Sequence, residues 1–285
     1  MTLKIIECPR DAMQGLHEFV PTEMKIRYIN QLLKVGFDTI DFGSFVSPKA
    51  IPQLKDTKDV VKQLELEDTE SKLLAIVANT RGAEDARDFA EIDYLGFPLS
   101  LSETFQKRNT NKTISEAMVT LEEIQSICKT NNKTLVTYLS MGFGNPYGDP
   151  YEMDYVNEFV DQLVHLDISI ISLADTIGVS NEENIQTLFE SITQPYPNVE
   201  FGVHLHSDID TARRKIRAAY KAGCRRFDGA INGFGGCPMA DDKLVGNIAT
   251  ETIVNFLEEF EIDIGLDHQE FDLAINMAPS VFLGR

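Results

Sequence analysis

The run Ile168-Ser-Ile-Ile-Ser-Leu173, then Glu182-Glu-Asn-Ile-Gln-Thr-Leu-Phe-Glu-Ser-Ile192, then Glu200-Phe-Gly-Val203 decides the fold. A short β-branched apolar run reads as a buried strand. The next segment carries its apolar residues at helical spacing, and a second apolar run follows it. Outward from this strand–helix–strand unit the same beat repeats. Strands are expected at Leu3 to Ile6, Thr39 to Asp41, Leu73 to Ala78, Ile92 to Leu95 and Thr134 to Leu139, with helices at Glu23 to Val35, Ala83 to Phe89, Ser115 to Asn131 and Asp154 to His165. Beyond the opening unit come a helix at Thr211 to Ala222 and an eighth strand at Arg226 to Ala230. No Ser/Gly linker divides the alternation, so the pattern predicts an α/β fold, a single (β/α)8 TIM barrel over residues 1–285 forming one catalytic domain. The tail from Thr250 supplies the eighth helix and a C-terminal helical extension, Glu261 to Arg285, which is a candidate subunit interface.

Composition narrows the function classes. With 43% hydrophobic and 25% charged residues in 285, the chain has the make-up of a globular protein with a large core, neither disordered nor collagen-like. No run approaches the roughly 20 apolar residues of a membrane span, and charges at Lys4, Glu7, Arg10 and Asp11 leave no signal-peptide core, so a cytoplasmic location is expected. A formal charge of −19 argues against nucleic acid and anionic membrane as partners. Cys8, Cys128, Cys224 and Cys237 show no C-x-x-C spacing and read as free thiols.

A barrel of this kind carries its site at the C-terminal ends of the strands. Those positions hold Glu7 to Asp11 after strand 1, Asp41 after strand 2, Asn79 and Arg81 after strand 3, Ser140 after strand 5, Asp175 and Thr176 after strand 6, and His204 and His206 after strand 7. An i, i+2 histidine pair on an extended segment turns both imidazoles to one side, where a divalent cation takes both; Asp11 adds a carboxylate from another strand. Arg10 offers a fixed guanidinium fork for a carboxylate or an enolate oxygen, or an ion pair with Glu7 or Asp41. Cys237 lies in a Gly-Gly-Cys-Pro loop whose glycines allow a thiol close to a ligand. Asp41 and Asp175 are site carboxylates or helix N-caps. Lys49, Lys107, Arg108 and Lys112 follow strands 2 and 4 and are candidates for steering a phosphorylated substrate.

Six ordered blocks of these residues resemble the 3-hydroxy-3-methylglutaryl-CoA lyase family. Ile5-Ile-Glu-Cys-Pro-Arg-Asp-Ala-Met-Gln14 is similar to the family's E-V-G-P-R-D-G-L-Q, and Ser44-Phe-Val-Ser-Pro-Lys-Ala-Ile-Pro-Gln53 to S-F-V-S-P-K-W-V-P-Q. Ser102-Glu103 through Asn109 resembles S-E-x-F-x-x-x-N, and Ile171 through Gly178 contains the counterpart of S-L-G-D-T-I-G. Gly233-Phe-Gly-Gly-Cys-Pro-Met-Ala240 resembles G-L-G-G-C-P-Y-A, and Gly246-Asn-Ile-Ala-Thr-Glu251 resembles G-N-x-A-T-E.

The resemblance implies metal-dependent cleavage of 3-hydroxy-3-methylglutaryl-CoA to acetyl-CoA and acetoacetate. It implies Mg²⁺ or Mn²⁺ on Asp11, His204, His206 and Asn247, with Arg10 on the enolate, Cys237 in proton transfer, Asp175 as support and Asp41 in place of the family's Glu. Lys49, Lys107 and Asn109 become candidates for the CoA moiety, and a homodimer is implied. The departures are Asp41, one methylene short of Glu; Ser207 for the Asp of H-x-H-D, with Asp208 one residue on; Ala12-Met13 for Gly-Leu; Met239 for Tyr; Asn145 for Cys; and an opening block one residue shorter before Pro9. They leave open a different 3-hydroxyacyl thioester, a related aldolase or acyl-transferring synthase, or a weakened metal-binding paralogue.

Overall fold

Parallel pairing runs unbroken from the first strand to the eighth and back to the first in the computed structural model, which describes residues 2–236 and 246–284. The strands are β1 (Lys4–Glu7), β2 (Thr39–Ser44), β3 (Lys72–Ile76), β4 (Tyr94–Ser100), β5 (Thr134–Ser140), β6 (Ile170–Asp175), β7 (Glu200–Leu205) and β8 (Arg226–Gly229). Closure is made by β1 on β8, with Lys4 opposite Arg226 and Glu7 opposite Gly229. The helices are α1 (Pro9–Gln14), α2 (Thr22–Val35), α3 (Thr57–Val61), α4 (Thr80–Arg87), α5 (Glu103–Thr110), α6 (Ile114–Thr130), α7 (Met153–His165), α8 (Glu182–Thr193), α9 (Ile209–Lys221), α10 (Thr250–Glu259) and α11 (His268–Phe282). Among the described residues no helix is long and apolar enough to cross a membrane.

Strand parity sorts the residues into two cores, because successive side chains of a strand face opposite sides. Leu73, Ala75, Leu135, Leu139, Ile171 and Leu173 pack outward against the helices. Leu74, Val136, Tyr138 and Ile170, with Ile76 and Tyr94, fill the barrel interior. Below them the interior turns charged: Lys4 Nζ lies 2.6 Å from Glu200, and the wholly buried Arg226 places Nη1 3.0 Å from the same carboxylate. Gly202 makes room for that arginine, since a Cβ there would lie 2.8 Å from its Cδ.

The eight strands and the eighth helix, α10, stand where the sequence pattern puts them, but several strands run further. Strand 4 is expected at Ile92 to Leu95 and is found at Tyr94–Ser100, continuing through Gly96 and Pro98. Both residues read as breakers in sequence. Here Gly96 leaves space for Leu74, Ile76 and Tyr138 inside the barrel, and β3 pairs with β4 only as far as Gly96, so Pro98 lies beyond that ladder. Strand 2 likewise continues past Asp41 to Ser44, with a bulge between Asp41 and Gly43.

The extension after Glu261 is part of the barrel wall. α11 lays Phe271, Ala274, Ala278, Val281 and Phe282 against the barrel, with edge-to-face rings at Tyr28–Phe282 (5.5 Å) and Phe37–Phe271 (5.8 Å). Tyr28 belongs to α2, and Gln31 of the same helix donates to Glu270, so one face of the extension is covered within the chain while Leu273 and Leu283 stay exposed.

Candidate active site at the barrel mouth

Pro9 opens α1 at its first position, where a missing N–H costs nothing and the fixed φ suits a helix. The Arg10–Asp11 pair therefore sits on a helical turn directly over the end of β1, where a loop reading would leave it loose. Arg10 is buried and all its nitrogens are engaged. Nε donates to both oxygens of Asp41 (3.2 and 3.0 Å), Nη2 lies 2.5 Å from Asp41 Oδ2, and Nη1 donates to Asp11 Oδ1 (2.9 Å) and Gln14 Oε1 (3.1 Å). The shorter Asp41 thus reaches the guanidinium in bidentate fashion, and the ion pair runs to Asp41 and Asp11 rather than to Glu7. Burial pushes Asp41 upward against the pull of Arg10, to about 6, so the pair is ionised at neutral pH.

Asp11, His204 and His206 converge, each offering an atom within 4.8 Å of the others. Burial would raise Asp11, but Arg10 and the two imidazoles hold it down at about 2. His206 is driven to about 4, by burial first and His204 second, so it is neutral and has a free lone pair. Its Nδ1 lies 3.1 Å from the Thr176 carbonyl, and its buried Nε2 has no hydrogen-bond partner among the described residues. On His204, Nδ1 lies 3.2 Å from Asp228 Oδ2; burial would lower this imidazole, but Asp228 and Asp11 leave it raised. With both Nδ1 atoms engaged, both Nε2 atoms remain to serve a ligand, an arrangement common to metal-binding histidines.

Asn247 completes the cluster. It bridges to His206 and donates Nδ2 to Asp11 Oδ2 (2.7 Å) and to the Phe234 carbonyl (2.9 Å). Gly235 has φ +89°, and a Cβ there would meet Asp11 O at 2.8 Å and Asn247 Nδ2 at 2.9 Å, so only glycine lets this loop close over the cluster. Glu7 clasps both feet of the segment: Oε1 accepts from Ile231 N–H (2.9 Å) and Oε2 lies 2.5 Å from Thr250 Oγ1. Cys237 and Met239 lie outside the described residues.

The remaining sequence candidates are placed apart from this cluster. Asp175 caps no helix; it is fully buried and takes Ser180 N–H and Oγ and the Lys215 ammonium (2.9 Å). Lys215 also donates to the His206 carbonyl (2.9 Å), so Asp175 reaches the site only through the backbone of a histidine. Asp41 is no N-cap either, α3 being preceded by Asp56. Asp208 turns its carboxylate to Thr211 as the N-cap of α9, leaving Thr176 to orient His206. Lys49 and Asn109 are exposed, and exposed Lys107 pairs with Glu103 at 2.9 Å. Arg108 lies over the Tyr147 ring. Asn145, in the loop after β5, accepts from Tyr147 and Asp149 N–H and holds that turn together.

Sequence reading passed over Asp228 and set Cys8 at the end of strand 1 without giving it a role. Asp228 lies inside β8, before the run ends, and its signal is parity: it shares a face with Arg226 and pairs across to His204 in the ladder.

Comparison with known proteins gives one consistent result. The HMGL-like family matches residues 3–277. Hydroxymethylglutaryl-CoA lyase YngG of Bacillus subtilis is 37% identical over 254 residues, 89% of this chain and 84% of that protein. The cytoplasmic 3-hydroxy-3-methylglutaryl-CoA lyase of Rattus norvegicus is 32% identical over 93% of this chain and 77% of its own length. Among solved structures, an HMG-CoA lyase of Acinetobacter baumannii in complex with coenzyme A and 3-methylmalate superposes with a TM-score of 0.91 at 31% identity, covering 99% of this chain and 91% of that one.

Proposed function

The chain belongs to the HMGL-like family of carbon–carbon lyases, and from that premise we propose that it cleaves 3-hydroxy-3-methylglutaryl-CoA to acetyl-CoA and acetoacetate with Mg²⁺ or Mn²⁺ bound. The observation that carries the reading is the convergence of Asp11, His204 and His206 around the orphaned, buried Nε2 of His206, with Arg10 fixed beside them. A carboxylate and two imidazoles fit a divalent cation with positions left for substrate oxygens, and Asn247, turned about its amide, adds a fourth donor. Bound there, the cation supplies charge that neutralises the substrate carboxylate and lowers the pKa of its 3-hydroxyl.

The chain's own groups perform the rest. The 3-hydroxyl proton leaves to solvent water, that oxygen forms a carbonyl as the C2–C3 bond breaks, and the bonding pair moves onto the thioester as an enolate. Arg10, held on both sides by Asp41 and Asp11, meets the developing oxyanion with a charge already oriented. Cys237 returns a proton to the enolate carbon to give the acetyl thioester. Asp175 acts by fixing Lys215, and through it the carbonyl of His206. Lys49, Lys107 and Asn109, all exposed, are the groups assigned to the phosphates of the CoA carrier. A cytoplasmic homodimer completes the reading.

The ion pair between Asp41 and Arg10 removes the main support for a weakened paralogue. An end-point assay with 3-hydroxy-3-methylglutaryl-CoA and Mg²⁺ or Mn²⁺ tests the proposal. Both products, abolished by a chelator, are expected; absence of both while cation still binds overturns the substrate and keeps the site.

A further inference from the structure

Beneath the Asp11 cluster the barrel holds a second set of donors of different chemistry. Cys8, at the N-cap of α1, Asp228 on β8 and His204 on β7 each offer an atom, all within 4.8 Å of one another. Cys8 and Asp228 are buried. Among the described residues the one hydrogen bond of the thiol is a long one to the Ile6 carbonyl, 3.8 Å, and Asp228 Oδ1 meets no donor although its side chain is sealed from solvent. A buried carboxylate oxygen without a partner is expensive and rare; Arg226 on the same strand face offers it charge but no hydrogen bond, so the oxygen keeps its lone pairs for another ligand. Sulfur, imidazole nitrogen and carboxylate oxygen together suit a thiophilic divalent ion, whereas a thiolate is a poor ligand for Mg²⁺ or Mn²⁺.

His204 belongs to both sets, and its chemistry forbids serving both. A neutral imidazole has one lone pair. When Nδ1–H is given to Asp228, Nε2 faces the upper cluster; when Nδ1 binds a cation below, the proton sits on Nε2 and the upper cluster loses a ligand. We propose that Cys8, His204 and Asp228 form a second metal site, selective for a thiophilic divalent cation such as Zn²⁺ or Cd²⁺, whose filling excludes the Mg²⁺ or Mn²⁺ of the upper cluster. As the metal–sulfur bond forms, the S–H bond breaks and its proton leaves to solvent, with no change of oxidation state. The exclusion rests on the upper-cluster reading of the previous subsection; the lower site does not.

Cd²⁺ titration of the Cys237→Ala protein, followed by ultraviolet thiolate-to-cadmium charge transfer, tests the site, with Mn²⁺ binding followed by electron paramagnetic resonance in the same samples. One equivalent of Cd²⁺ should raise the band. Adding Cys8→Ser should remove it while Mn²⁺ still binds. With Cd²⁺ at about ten times its Kd, the apparent Mn²⁺ Kd should rise about 10-fold in Cys237→Ala and stay unchanged in the double variant. Absence of the band, or its survival without Cys8, overturns the site, and Mn²⁺ affinity indifferent to Cd²⁺ overturns the exclusion. A band without any Mn²⁺ binding overturns the upper reading alone. If Cys8→Ser does not fold, zinc-edge X-ray absorption of Cys237→Ala decides: one sulfur neighbour at about 2.3 Å supports the site and none refutes it.

Discussion

Replacing Glu7 by Gln should make the protein more stable as the solution becomes alkaline. Glu7 is buried at the end of β1, and burial, opposed only by its bonds to Thr250 and Ile231, pushes its carboxyl up to about 8 from an ordinary 4.5. A carboxyl whose folded value lies above its unfolded value stabilises the fold fully below the unfolded value and loses that contribution as pH climbs toward 8. At about 1.4 kcal/mol per unit the whole span is worth roughly 5 kcal/mol, of which about 3 kcal/mol falls between about pH 5.5 and pH 8. Gln copies the protonated acid: its carbonyl accepts from Ile231 N–H and its amide donates to Thr250 Oγ1. Urea unfolding of wild type and Glu7→Gln, each with chelator present, should give near-equal stabilities at about pH 5.5 and a gap of about 3 kcal/mol in favour of Gln at about pH 8.5. A gap that does not change with pH, or a Gln variant that weakens as pH rises, would refute the reasoning.

Arg10→Lys keeps the charge but loses the fork that engages Asp41 and Asp11 together, so turnover should fall about 10²-fold in a steady-state assay while Mn²⁺ still binds. Asp41→Glu, which restores the family residue, should lower stability by about 1–3 kcal/mol and leave turnover no higher, since the added methylene enters a buried pair already in contact; a clear rise in kcat would show the Asp41 geometry to be a handicap. Mn²⁺ at about 100 times its Kd should stabilise the wild type by about 2.7 kcal/mol in thermal melts, and His206→Ala should abolish that shift.

The barrel was legible because the strand–helix beat survives whatever each strand carries, and the His204–Leu205–His206 spacing reports parity directly. Strand ends were not legible where an interior position demands a residue that sequence reads as a breaker, as at Gly96 and Pro98. The upper cluster was visible because its residues follow apolar runs. Asp228 escaped, and Cys8 went without a role, because a charged or thiol side chain inside a closed barrel is given its part by what stands across the axis, and one strand's pattern does not contain its neighbours. Asp175 shows the converse: its place after β6 suggested direct participation, while Lys215, 40 residues on and marked by nothing local, is what claims it.

The stack of Phe282 on Phe234, 4.9 Å between centroids, makes the last turn of α11 a remote handle on catalysis. Phe234 holds Asn247 through its carbonyl, so the amide proposed for the cation rests two contacts from the chain's final helix. A change at that end reaches the Asn247 amide through those two contacts without approaching the barrel mouth. For protein engineering, the helix is a lever with its fulcrum on α2, set apart from the barrel mouth.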